Sequence, residues 1–168
     1  MGVFLIGLFI LVAVLFIGLM TLTRRELPES ISDIVYWLPD RKQWIWSAWL
    51  CVVGALLFAP LTERCGWVGW LTEACLFGSA LTPLVNVDTR MWHKWLGIAT
   101  GVLSQVCVAM LCPDWLFAWA AFLFIMGSVY VQPEGGMAKT VEHKGVFVAE
   151  VMCMLSLFGS LICIFLVE

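Results

Sequence analysis

Residues 44–61 read WIWSAWLCVVGALLFAPL, eighteen positions without a charged side chain. A helix rises ~1.5 Å per residue and the hydrocarbon layer of a bilayer is ~30 Å thick, so a run of this length suits a membrane crossing and exceeds what a buried strand needs. Runs of the same kind lie at 2–21, 67–85, 93–112, 115–131 and 145–167. The expected fold is all-α, a single polytopic transmembrane helix bundle of about six spans occupying 1–168. Composition agrees: of 168 residues, 62% are hydrophobic and 12% charged, too little polar surface to cover a soluble globule.

Between the first two runs lies the only long polar stretch, Arg24 to Gln43, punctuated by Pro28 and Pro39. Its part from Ile31 to Leu38 is amphipathic enough to lie along the membrane interface. The remaining loops are short, which favours antiparallel neighbours. Orientation follows from Lys and Arg near the helix ends, since cytoplasmic loops hold the excess. Of nine basic residues, Arg24, Arg25, Arg41, Lys42, Arg90, Lys94, Lys139 and Lys144 fall on one side and Arg64 alone on the other. That asymmetry puts both termini outside the cytoplasm. Trp44, Trp46, Trp67, Trp92, Trp95 and Trp115 stand at run ends, where an amphipathic ring suits the membrane boundary.

The first run lacks a basic leader and a small-x-small cleavage site, so it reads as a helix and not as a secretory signal. Seven cysteines mostly sit within apolar runs without C-x-x-C spacing and read as small packing residues. No basic tract with interleaved aromatics exists, which excludes a nucleic-acid partner. The partners expected are membrane lipid and a lipid or small-molecule ligand, with oligomerisation left open.

In lipid, helices approach closely where side chains are small. The Gly97-x-x-x-Gly101 motif shares a face with His93, Thr100 and Ser104; Gly66, Gly69, Glu73 and Ala80 share another, and Ser47, Cys51, Gly54 and Ala55 a third. All three faces are expected to point inward, with Gly97 and Gly101 at a helix–helix contact.

Two carboxylates, Glu73 and Glu150, fall within runs. A charge at the bilayer centre costs at least ~2.5–3.5 kcal/mol, so each should be neutral, paired or facing water. Glu150 lies roughly 8–10 Å from the cytoplasmic boundary and Glu73 a similar distance from the opposite one, which argues against an acid/base pair at one level. Glu73 matches the depth of Gln105, and a hydrogen bond between them would satisfy both. A second group gathers at the cytoplasmic face. His93 opens one run, His143 precedes another by two residues, and Glu150 follows His143 by two helical turns. The loops add Ser30, Ser32, Asp33, Asp88 and Glu142. The candidate ligand site is Asp33, Asp88, His93, His143 and Glu150; the competing reading is that these residues are separate helix caps.

The stretch Pro28-Glu29-Ser30-Ile31-Ser32-Asp33 before the second run, with a histidine at the start of the fourth and sixth, resembles small bacterial and phage six-helix membrane proteins of Frag1/DRAM-type layout. That resemblance implies a multi-pass protein of a bacterial inner membrane and carries no activity with it. The ceramidase and progestin-receptor-like superfamily is similar in holding polar groups near one membrane face, where its members bind zinc. This chain departs from it in having two histidines and no H-x-x-x-H. A metal would therefore need His93 and His143 with Asp33, Asp88 or Glu150 as third ligand; haem would need both histidines. The leading expectation is a lipid- or small-ligand-binding or scaffolding bundle with a polar site at the cytoplasmic face. A holin-like permeation protein and a metal-dependent membrane lipid hydrolase are the alternatives, so catalytic residues and cofactor stay unassigned.

Overall fold

An apolar run in hydrocarbon must satisfy its backbone groups internally, and helix does this within one segment. The structure, a computed structural model, describes residues 2–26, 28–85, 90–115, 117–119 and 136–167. Its helices are α1 (Gly2–Arg24), the short α2 (Ile34–Trp37), α3 (Trp44–Cys65), α4 (Trp67–Leu81), α5 (Arg90–Leu111) and α6 (Gly136–Val167). Single 3₁₀ turns occupy Ile31–Asp33, Asp40–Lys42 and Thr82–Leu84. No strand occurs among the described residues. Three segments, Asp40–Cys65, Met91–Leu111 and Val146–Ile164, are long and apolar enough to cross a membrane. They coincide with the second, fourth and sixth runs. Nearly all of the run at 115–131 lies outside the described residues.

Two boundaries differ from expectation. The helix containing the last run begins at Gly136 and not near Gly145, because nothing in Met137–Lys144 breaks a helix. The third run ends its α-helix at Leu81, and Pro83 in the following turn removes a donor that a continuing helix would use.

Consecutive long helices pack side by side from α3 to α6, and α1 lies against both α3 and α6, closing a ring. The α1–α3 seam is aromatic. Phe16 stacks on Trp49 at 4.6 Å between ring centroids, Trp46 meets Trp49 at 4.9 Å, and the Trp49 indole N–H donates to the Val12 carbonyl at 3.1 Å. The α3–α4 hairpin turns on one residue, Gly66, at φ 54° and ψ −130°, a conformation costly for any residue with a Cβ. Just beyond it, a Cβ on Gly69 would stand 2.3 Å from the Leu61 carbonyl oxygen and 2.6 Å from its carbon, so the two backbones touch there.

Side-chain hydroxyls in these helices are satisfied locally. Thr62, Thr72, Thr100 and Ser160 donate to carbonyls four residues back, and Ser104 to one three back, at 2.6–2.8 Å. That back-bonding lets a hydroxyl sit in an apolar helix without a cross-helix partner.

The stretch between α1 and α3 does not lie along an outer interface. Pro28, Ile31, Ile34 and Val35 are buried and Tyr36 is exposed, so its apolar face closes one end of the ring. Arg24 donates to the Trp37 carbonyl at 2.7 Å, the Phe147 amide donates to the Glu29 carbonyl at 2.9 Å, and the Ile31 amide donates to the Glu150 carboxylate. These bonds tie the segment to both α1 and α6.

Candidate functional site

The ring encloses a cavity of about 160 Å³ whose wall is drawn from α3, α4, α5, α6 and the Ile31–Ser32 turn. Leu50, Val53, Leu57 and Trp49 make its α3 side, and Met154, Leu157 and Phe158 its α6 side. Hydroxyls reach it from Thr72, Ser79, Thr100 and Ser104. The charged residues on its wall are Glu73 and Glu150, with no Lys, Arg or His among the lining residues. An apolar chamber with a few convergent polar groups is the usual form of a small-molecule site.

Glu73 is 1% exposed, and neither carboxyl oxygen has a hydrogen-bond partner among the described residues. Its place in the wall is made by Gly54 on the facing helix, where an added Cβ would lie 3.1 Å from Glu73 Oε2. A buried carboxyl without partners carries a desolvation penalty that nothing in the described chain offsets. The hydrogen bond expected between Glu73 and Gln105 does not form. Gln105 is one residue past Ser104, which turns it roughly 100° away from the cavity-lining face and toward α6. There it accepts from Trp119 Nε1 at 2.6 Å and from Ser156 Oγ at 3.0 Å, and donates to the Cys153 carbonyl at 3.3 Å. Gln105 thus knits α5 to α6, while Glu73 faces the chamber.

Glu150 lines the same cavity from α6. Although the two acids start from opposite ends of the bundle, the chamber is long enough to touch both, which depth arguments along single helices did not anticipate. The carboxyl of Glu150 is already engaged by the Ile31 amide.

Of the residues expected at the cytoplasmic cluster, Asp33, His93 and Glu150 are described; Glu150 lines the cavity, and Asp33 and His93 are not among its lining residues. Asp33 lies within electrostatic range of both others, held by the turn in which its amide donates to Ser30 Oγ at 3.1 Å. His93 is 4% exposed. Its Nδ1 lies 3.0 Å from the Ser79 carbonyl and 2.9 Å from Thr82 Oγ1. A carbonyl only accepts, so Nδ1 carries the proton and Nε2 is left as an acceptor, buried without a partner among the described residues. The ring stands edge-on to Trp46, 6.5 Å between centroids, and so sits behind the cavity wall. His143 lies in α6, with its side chain outside the described residues, and Asp88 and Glu142 fall outside them likewise. No group of three or more His, Cys, Asp or Glu side chains suited to a metal occurs among the described residues.

The small-residue faces turn inward with two corrections. Ala55 is exposed. Gly97 and Gly101 line the cavity, and an added Cβ on either meets nothing within 4 Å. Their smallness widens the chamber and does not join two helices; the close contact belongs to Gly69. Each of the seven cysteines is a free thiol. Cys107 Sγ lies 3.6 Å from Thr72 Oγ1, and Cys65 Sγ 4.0 Å from the Cys107 carbonyl, in keeping with a packing role.

Sequence reasoning missed Trp46 and Trp49 as wall residues, having assigned Trp46 to a membrane belt. The spacing 46, 49, 53, 57, all buried, was the available signal, since it marks one inward stripe of a helix. Comparison with protein-family models, with curated proteins and with solved structures yields no match.

Proposed function

We propose that this chain is a six-span membrane protein, both termini outside the cytoplasm of a bacterial inner membrane, that binds a small ligand in its central cavity with Glu73 as the recognition group. The observation carrying the reading is the carboxyl of Glu73, buried, without a partner among the described residues and set in a cavity wall. A polar group kept at that expense in an apolar helix has a use in meeting something that supplies the missing hydrogen bonds. The apolar wall suits a compact amphiphile, and the Asp33, His93 and Glu150 group lies toward the cytoplasmic end.

The membrane assignment is supported by the apolar side chains on the outside of the ring, among them Leu11, Val14, Leu19, Val52, Trp70, Val102 and Met110. An exposed apolar belt of this extent would aggregate in water. For the third crossing, α4 and the turn after it together supply roughly 28 Å, from fifteen α-helical and three 3₁₀ residues at ~1.5 and ~2.0 Å each. Reporter fusions after Thr21, Val85 and Glu168 check the topology: cytoplasmic signals are expected at the first two and an external signal at the third. A cytoplasmic Glu168 overturns the orientation.

For the binding function, purified protein in detergent is heated with a panel of small amines, alcohols, amides and carboxylic acids at millimolar concentration. At least one class is expected to raise the melting temperature of the wild type by several degrees and that of Glu73→Gln by less than half as much, since a ligand at a hundred times its Kd stabilises by about 2.7 kcal/mol. A panel without effect on the wild type overturns the reading.

A further inference from the structure

We infer that the ligand is a compact organic cation, an amine in its ammonium form or a quaternary ammonium, held between the Glu73 carboxylate and the indoles of Trp46 and Trp49. This rests on the cavity's being a binding site and adds the charge and class of what enters it.

Charge comes first. Among the described residues the wall carries two acids and no base, and Glu73 has no partner, so a cation supplies the counter-charge missing there. An anion would meet two carboxylates and no donor of positive charge. The remaining wall then separates an organic cation from a metal ion. Hard metal ions take six or more oxygen ligands at short range, whereas the cavity surface around Glu73 is mostly apolar. Indole faces are the strongest π partners for an ammonium group, and gain most where water is excluded. Trp46 and Trp49 are 2% and 7% exposed and both line the cavity. Size completes the match: about 160 Å³ resembles a cavity of ~150 Å³ that admits benzene, which suits a four- to seven-carbon amine and excludes a whole lipid.

The test uses full-length protein in detergent and two probes of similar size, tetramethylammonium and neutral tert-butanol, followed by calorimetry. Tetramethylammonium is expected to bind at least tenfold more tightly than tert-butanol. In Glu73→Gln its affinity is expected to fall at least tenfold, while Glu63→Gln, at an exposed acid near the end of α3, changes it less than threefold. The wild-type comparison of the two probes stands even where a variant fails to fold. Binding of tert-butanol as tight as that of tetramethylammonium overturns the charge assignment and leaves the cavity reading in place. Unchanged affinity in Glu73→Gln overturns the placement of the cation, and failure of both probes together with a silent panel removes the two readings at once.

Discussion

Gly69→Ala is expected to lower the melting temperature in detergent by roughly 6–12 °C, while Gly97→Ala leaves it unchanged or raises it. At Gly69 the added methyl would sit 2.3 Å from the Leu61 carbonyl oxygen, 2.6 Å from its carbon and 3.0 Å from the Thr62 nitrogen. All three are backbone atoms, so no side chain can swing aside. The hairpin has to open, although Gly66 fixes its turn and the rest of α4 is packed on α3 and α5. Overpacking a rigid contact costs about 3 kcal/mol at the upper end of the usual range, and each kcal/mol moves the transition of a chain this size by ~2–4 °C. In a bilayer-like solvent no hydrophobic gain offsets the lost contact. At Gly97 the same methyl meets nothing within 4 Å, and replacing Gly by Ala in a helix gains up to ~1 kcal/mol of propensity. Thermal melts of the two variants beside wild type decide the matter; equal effects would mean that α3 and α4 do not approach at Gly69.

The glycine pair also shows where the sequence could be read and where it could not. Long apolar runs announce helices, because run length and helical rise are fixed by the same solvent thickness, and the runs at 44, 93 and 145 begin within α3, α5 and α6, although α6 starts nine residues before its run. Periodicity of small and polar residues marks an inward face, and Ser47, Gly54, Glu73, Ala80, His93 and Ser104 are all buried. What an inward face meets is another matter. Gly97 and Gly101 satisfy the same spacing as a helix-contact motif yet look into space, since the distance to the facing helix is set by the side chains of α3 and α6 and not by the glycines. The segment from Pro28 to Leu38 is a similar case: its amphipathic pattern is real, but one pattern serves equally for lying on lipid and for closing a bundle end, and the hydrogen bonds from Ile31 to Glu150 and from Phe147 to Glu29 link positions more than a hundred residues apart.

The site was legible as a set of residue types and not as an arrangement. Glu73 stood out because a carboxyl in an apolar run is rare and demands an explanation. Pairing it with Gln105 required only equal depth, whereas a hydrogen bond also requires facing angles, and one residue of rotation from Ser104 was enough to send Gln105 to Trp119 and Ser156 instead. Ile31 reaches Glu150 because the segment before α3 folds back onto the middle of α6, a placement no local pattern encodes.

Glu73→Leu is expected to stabilise the empty protein, raising its melting temperature by roughly 2–16 °C, and to abolish recognition of any charged ligand. Removing a buried polar group that has no partner relieves its desolvation, and replacing buried ionic groups with apolar ones of similar volume is often stabilising by about 1–4 kcal/mol, which the ~2–4 °C per kcal/mol of a chain this size converts to the stated shift. Leucine fits the environment: the wall that holds Glu73 also holds Leu57 and Leu76, and Glu73, Phe77 and Leu76 stand together around Gly54. A structural carboxyl would behave in the opposite way, since breaking its bonds would leave partners unsatisfied and destabilise the fold by several kcal/mol. Melting curves of wild type and Glu73→Leu, recorded without added ligand, therefore separate the two roles before any ligand is known. A fall in melting temperature would assign Glu73 to the framework; a rise would mean that the bundle tolerates a destabilising group at its centre, as proteins do where a site is held ready for something other than folding.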